Sequence, residues 1–302
     1  MAVDCRPAPG PTGSRTGRRS SPGGPARPGR VPDVLVGPRT RRPDPDSWTG
    51  LDRGEVRTRL GELLTDPDLL TQGGLNLSGP AAFARAWMRR DPRAFADFAL
   101  QLYDTGAAAI GSHEIEPGPD ACPLSDHRVL REEFGSVVPP GTDWMVLSAL
   151  RDAENAVFDY RGDPADDISA LTMPGTLTEW LAATGRWSQV RDEVGPPFDQ
   201  RLAHARSLAP SAQTTVFVLV NAGLLLGADA GSAGHQAPEG TGLSPSLAWF
   251  PYHWLVLESP VVELAGGVRF TAWTSGTRAP YRTLTVPTGL FRHHYYGAVT
   301  AS

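Results

Sequence analysis

The chain has 302 residues, 40% of them hydrophobic, which is enough for one large domain or two small ones. Its 28 basic residues are all arginine, and the net charge of −5 divides into +5 on residues 1–46 and −10 on the remainder. The acidic remainder argues against nucleic acid as the main partner. Two cysteines, Cys5 and Cys122, are too few for a disulfide framework or a thiolate zinc site, and no run of 18 apolar residues suggests a membrane span.

Residues 1–46 contain ten Pro, seven Gly and nine Arg. Such a segment cannot bury enough apolar surface to offset chain entropy, so it reads as disordered. It is a linker, a mis-assigned start, or a basic arm for an anionic partner. Arg18-Arg19 is not followed by the apolar stretch that a secretory or twin-arginine signal needs. The expectation is a cytoplasmic protein, or one exported without an N-terminal signal peptide.

Residues 47–302 read as a single α+β domain. "DRGEVRTRLGELL" (52–64) places Val56, Leu60 and Leu63-Leu64 on one helical face. "SGPAAFARAWMRR" (78–90) opens with a serine suited to an N-cap and a proline suited to the first turn. "PRAFADFALQLYDTG" (92–106) starts on Pro, ends on Gly106 and carries an apolar stripe of Phe95, Phe98 and Leu102. Further helices are predicted over 143–160, over 176–185 with a Thr–Glu capping box, and over 199–209. The period then changes. "TTVFVLVNAGLLL" (214–226) has the continuous apolar character of a buried strand, and a Gly/Ser/Pro loop (227–246) follows it. "YHWLVLESP" (252–260), "GVRFTAW" (267–273), "YRTLTV" (281–286) and "RHHYYGAVTA" (292–301) read as antiparallel strands. Helices first and strands afterward indicate α+β rather than parallel α/β.

Three residues stand in an informative order. Gln72 lies six positions before Ser78, Ser78 begins a helix, and His253 opens a late strand. A helix N-terminus offers unpaired N–H groups and a positive dipole end that favour an anionic nucleophile or oxyanion. A nearby glutamine amide supplies a second oxyanion donor, and a histidine can carry the nucleophile's proton. Each residue also has an ordinary use: Ser78 as a helix cap, Gln72 as a loop amide, His253 as a polar residue at a strand entrance.

The Gln72-x5-Ser78 spacing, the "SGPA" helix opening and "HWLVLES" resemble the papain-like superfamily, in particular its bacterial bacteriocin-processing peptidases. The resemblance covers roughly residues 70–300 in element order. It implies a helical half packed on an antiparallel sheet, with Ser78 and His253 facing one another across a groove that takes a peptide or protein ligand. It also implies a third residue on the strand "FTAWTSG", where Thr271 would orient His253. Serine stands at the position those relatives give to cysteine, and threonine where they carry Asp or Asn. Both departures weaken acyl transfer, because a hydroxyl depends wholly on its base. The resemblance therefore implies a catalytically degenerate relative or a serine-using hydrolase of peptide or amide bonds; a non-catalytic peptide-binding or effector module is the alternative.

No cofactor is expected. His113, Glu114 and Glu116 of "HEIEP" and the pair His293-His294 lack metal-ligand spacing, and adjacent residues on a strand face opposite ways. Arg151 and Glu154, with Asn155 and Asp159 further on, read as a charged helix face. Asn221 inside an apolar strand must find partners, either in the loop holding Ser78 or in neighbouring backbone. Cys122 is a displaced nucleophile candidate ranked below Ser78.

Overall fold

A computed structural model describes residues 48–118, 126–154, 172–196, 198–221, 223–225, 253–275 and 280–302. The 1–46 segment, Cys122, Asn155, Asp159 and the 227–246 loop lie outside the described residues. So do residues 155–160 of the helix predicted over 143–160, whose described part ends at Asp152.

The first helices follow from local capping. In α1 (Arg53–Thr65) the Asp52 carboxylate accepts the N–H groups of Gly54 and Glu55, and Val56, Leu60 and Leu63 are buried. Helix α2 (Ser78–Arg90) is buried along most of its length. Helix α3 (Pro92–Thr105) is capped by Asp91 and ends on Gly106 in the left-handed region, with φ 75°. A two-stranded hairpin that the sequence pattern did not reveal follows: β1 (Ala108–Ile110) and β2 (His113–Ile115). Its short strands and single-residue alternation leave no periodic signal. The last described helices of this half are α4 (His127–Phe134), α5 (Gly141–Asp152) and α6 (Pro174–Ala183). Helix α6 begins two residues before the expected capping box, at Pro174, and has no side-chain cap.

The second half forms one seven-stranded antiparallel sheet, so the class is mixed α+β. Its strands are β3 (Val190–Asp192), β4 (Thr215–Val220), β5 (His253–Leu257), β6 (Val262–Leu264), β7 (Gly267–Trp273), β8 (Tyr281–Pro287) and β9 (Tyr295–Ala301). Along the sheet, β9 lies between β3 and β4, and β5 pairs with β4. Strands β5 and β6 share one side of β7, and β8 occupies the other.

Alternation along the strands divides the core between two faces. Phe217, Leu219, Trp254, Val256 and Trp273 join α1–α6 in one apolar cluster. Val216, Val218, Leu255, Leu257, Phe270 and Leu284 join α7 (Arg201–Ser207) and α8 (Thr288–His294) in the other. Burial on both faces is why 214–226 reads as continuously apolar. Residues 292–294 end α8 rather than opening a strand, because Pro287 closes β8 and the chain needs a helical turn to return beside β4. Asn221 serves neighbouring backbone: its Oδ1 accepts the Gly223 N–H and its own N–H donates to the His294 carbonyl.

A buried arginine cluster holds α2 to the preceding loop and to the sheet. Arg85 of α2 is 1% exposed; its Nε lies 2.6 Å from Asp68 and its Nη1 2.7 Å from Glu258. Its guanidinium also meets the Tyr281 hydroxyl at 2.9 Å and lies over the Trp273 ring. Burial pushes the Asp68 carboxyl up, but hydrogen bonds from Tyr281 and Arg85 overcome this and hold it below the usual range. Removing a buried ion costs several kcal/mol when its partners stay behind. Arg85→Ala should therefore lower the unfolding free energy by about 3 kcal/mol in urea titrations, against under 1 kcal/mol for the exposed Arg93→Ala.

Candidate functional site

The start of α2 meets β5 through Ser78. The cap position of α2 is Leu77, which makes no side-chain cap bond, so the N-cap expected of Ser78 is not its role. Its hydroxyl instead accepts the Trp254 N–H at 3.0 Å. The reason lies in sheet register. Strand β5 pairs with β7 only at Val256 and Leu257, so among the described residues no strand lies beside the earlier N–H of Trp254 on that side. A buried N–H needs an acceptor, and Trp254 is 1% exposed. Ser78, itself 2% exposed, supplies it.

Thr172 closes the same corner. Its carbonyl accepts the Trp254 indole N–H at 3.0 Å, and its side chain sits so close to Gly79 that any Cβ there would collide with it. The residue after Ser78 is a glycine because the chain passes against it.

His253 begins β5, one residue before the Ser78 contact. Its Nε2 lies 2.8 Å from the Thr274 hydroxyl. Burial, aided by the positive charge of Arg282, pushes the ring pKa down from 6.5 to about 4. The imidazole is therefore neutral at physiological pH, and a neutral threonine rather than a carboxylate orients it.

Thr271 stands elsewhere. It lies beside Glu258 at the far end of β5: its carbonyl accepts the Glu258 N–H at 2.9 Å and its hydroxyl meets Thr283 at 2.9 Å. An antiparallel register that pairs Val256 with Trp273 runs His253 past the end of β7, so the residue reaching it must follow Trp273. Thr274 occupies that place. The sequence carries "TAWTSG" but no register, and the register decides which threonine serves.

Gln72 sits on a loop that three contacts fix. Its N–H donates to the Ser275 hydroxyl at 2.8 Å. The preceding Thr71 N–H donates to Asp143, which is fully buried and also binds Arg59 through both carboxylate oxygens. Burial pushes the Asp143 carboxyl up against that pull. Gly73, with φ 61°, follows; a Cβ there would run into the Val137 carbonyl. The Gln72 side chain is 7% exposed, and its Oε1 has no partner among the described residues.

Gln72, Ser78, His253 and the missed residues Thr274, Ser275, Trp254 and Thr172 thus border one seam between α2 and the sheet. Short-range signals could not have found the last three, which matter only through contacts more than 80 positions apart. The other candidates are engaged elsewhere. His113 pairs with Glu154 at 2.6 Å, and Glu154 also takes the Trp180 indole N–H, so Glu154 does not serve an Arg151 pair alone. His294 is buried in α8. Among the described residues no helix is long and apolar enough to cross a membrane.

Compared with known proteins, the chain matches no family model, no curated protein and no solved structure. The papain-like resemblance thus stands on residues and element order alone.

The depressed His253 pKa carries a stability signature. The unfolded imidazole takes a proton near pH 6.5 while the folded ring stays neutral down to about 4, so stability falls as pH falls through that window. Between pH 7 and 4.5 the wild type should lose about 2 kcal/mol more unfolding free energy than His253→Gln, measured by urea denaturation. Equal losses in the two proteins would contradict a ring held neutral by the fold.

Proposed function

We propose that this protein has a papain-like fold whose Ser78 site does not turn over peptide bonds, and that the surface bordering the α2–β5 seam at His253 serves as a peptide-binding groove. The observation that carries this reading is the pairing of His253 with Thr274 at 2.8 Å beside a Ser78 hydroxyl that already accepts the Trp254 N–H. General-base catalysis on a hydroxyl needs an imidazole that gains stability on protonation. Here the proton would create an imidazolium in a partly buried site, near Arg282 and against a neutral hydroxyl. Losing the charge that orients and stabilises a triad histidine costs about 10⁴ in turnover. The N–H donated to Oγ further lowers the availability of its lone pair. Peptide as the ligand follows from the resemblance, and the Gln72 amide offers a polar anchor for it.

A serine-reactive fluorophosphonate and a thiol reagent test the reading. The wild type should show no labelling at Ser78, and Ser78→Cys should alkylate with the pH dependence of an ordinary thiol, near pKa 8.5. Fluorophosphonate labelling that disappears in Ser78→Ala would establish an activated nucleophile and with it a serine-using hydrolase. A Ser78→Cys variant whose introduced thiol is ionised well below pH 7 only in the presence of His253, and not in Ser78→Cys with His253→Gln, would likewise show that His253 activates this position.

A further inference from the structure

Thr172 and Met173 lead into α6, and Thr172 lies against the start of α2. Its Cβ, Oγ1 and Cγ2 all crowd the space that a Cβ on Gly79 would take, and its carbonyl accepts the Trp254 indole N–H at 3.0 Å. Met173 precedes Pro174, which keeps it extended at φ −74° and ψ 151°, so Thr172 is held out from the first turn of α6. Ser78 and Gly79 are buried where this stretch meets them.

The closure is weakly held. Thr172 is 7% exposed, yet its hydroxyl has no partner among the described residues. A buried hydroxyl without a bond costs at least as much as one neutral hydrogen bond contributes, so it offsets the carbonyl–indole bond. Met173 adds little, because 64% of it is exposed, and α6 begins with no side-chain cap. One backbone carbonyl therefore carries the contact, while the hydroxyl beside it is better solvated when released.

We infer that Thr172 is an autoinhibitory strap: closed, it shields Ser78 and Gly79, and a peptide at the His253 surface reaches them only when the Thr172 carbonyl leaves the Trp254 indole. A main-chain carbonyl of that peptide then takes the indole N–H in its place, so ligand and strap compete for one donor. The identity of the ligand rests on the proposed peptide-binding reading; the strap itself does not.

A full chain carrying Cys5→Ser, Cys122→Ser and Ser78→Cys has one thiol, and its alkylation by iodoacetamide tests the strap. The plateau rate at high pH, where the thiol is ionised, reads access; the midpoint of the pH profile reads activation and so tests the reading above separately. With Thr172 in place the plateau should lie at least ~10-fold below that of the same chain unfolded in urea. Thr172→Gly should raise it at least ~5-fold, by removing the side chain against Gly79 and loosening the backbone. Thr172→Val keeps the shape and the carbonyl but drops the unpaired hydroxyl, so it should lower the rate at least ~3-fold. In the chain that retains Ser78, hydrogen exchange of the Trp254 indole N–H should follow the same order, slowest with Thr172→Val. Should Thr172→Gly lose its fold, the comparison of Thr172 with Thr172→Val decides alone. An introduced thiol that reacts as fast in the folded chain as in urea would overturn the inference. Equal plateau rates for Thr172, Thr172→Val and Thr172→Gly would also overturn it, by assigning the closure to other residues.

Discussion

One backbone N–H governs the geometry of the α2–sheet seam. Strand β5 outruns its neighbour β7, and the Trp254 N–H is left buried on the side where β7 has ended. An unsatisfied buried donor costs about 1–3 kcal/mol, so an acceptor must be brought to it. The Ser78 hydroxyl is that acceptor, and supplying it fixes the start of α2 against the first residues of β5. Gly79 and Thr172 follow from the same approach, since only a glycine lets the chain pass where Thr172 accepts the Trp254 indole. A residue suited to be a nucleophile thereby acquires a structural duty.

The polar groups that surround the seam are arranged to hold rather than to react. Asp143 is enclosed by Arg59 and the Thr71 N–H, and it anchors the loop that carries Gln72. Arg85 ties α2 to Asp68, Glu258 and Tyr281 while its guanidinium lies against Trp273. Burying such ions is costly in itself, and it is tolerable because each keeps several charged or hydrogen-bonding partners. His253 is the exception. Its neighbours are a neutral threonine and a nearby arginine, so its environment favours the uncharged ring. That contrast separates the clusters that bind elements together from the one position where charge would have to develop during catalysis.

Much of this organisation was legible in the sequence wherever it depends on local chemistry. Pro92 and Gly106 mark the two ends of α3, and the strand read over "GVRFTAW" matches its observed limits. The order of helices and strands also indicated the α+β class. What stayed hidden depends on register and long-range contact. Thr271 and Thr274 are equivalent as letters, and only the pairing of Val256 with Trp273 makes Thr274 the neighbour of His253. Ser78 looks like a helix cap until the missing strand partner of Trp254 is known. The hairpin β1–β2 is too short for periodicity to register, and His293-His294 reads as strand because the turn after Pro287 carries no distinctive residue pattern.

Hydrogen exchange at the Trp254 amide tests the central claim most directly. The bond to Ser78 predicts slow exchange in the wild type and an acceleration of at least ~10-fold in Ser78→Ala, with Val256 in the same strand little changed. A Trp254 amide that exchanges at the same rate in both proteins would contradict it, because that N–H would then owe its protection to something other than the Ser78 hydroxyl.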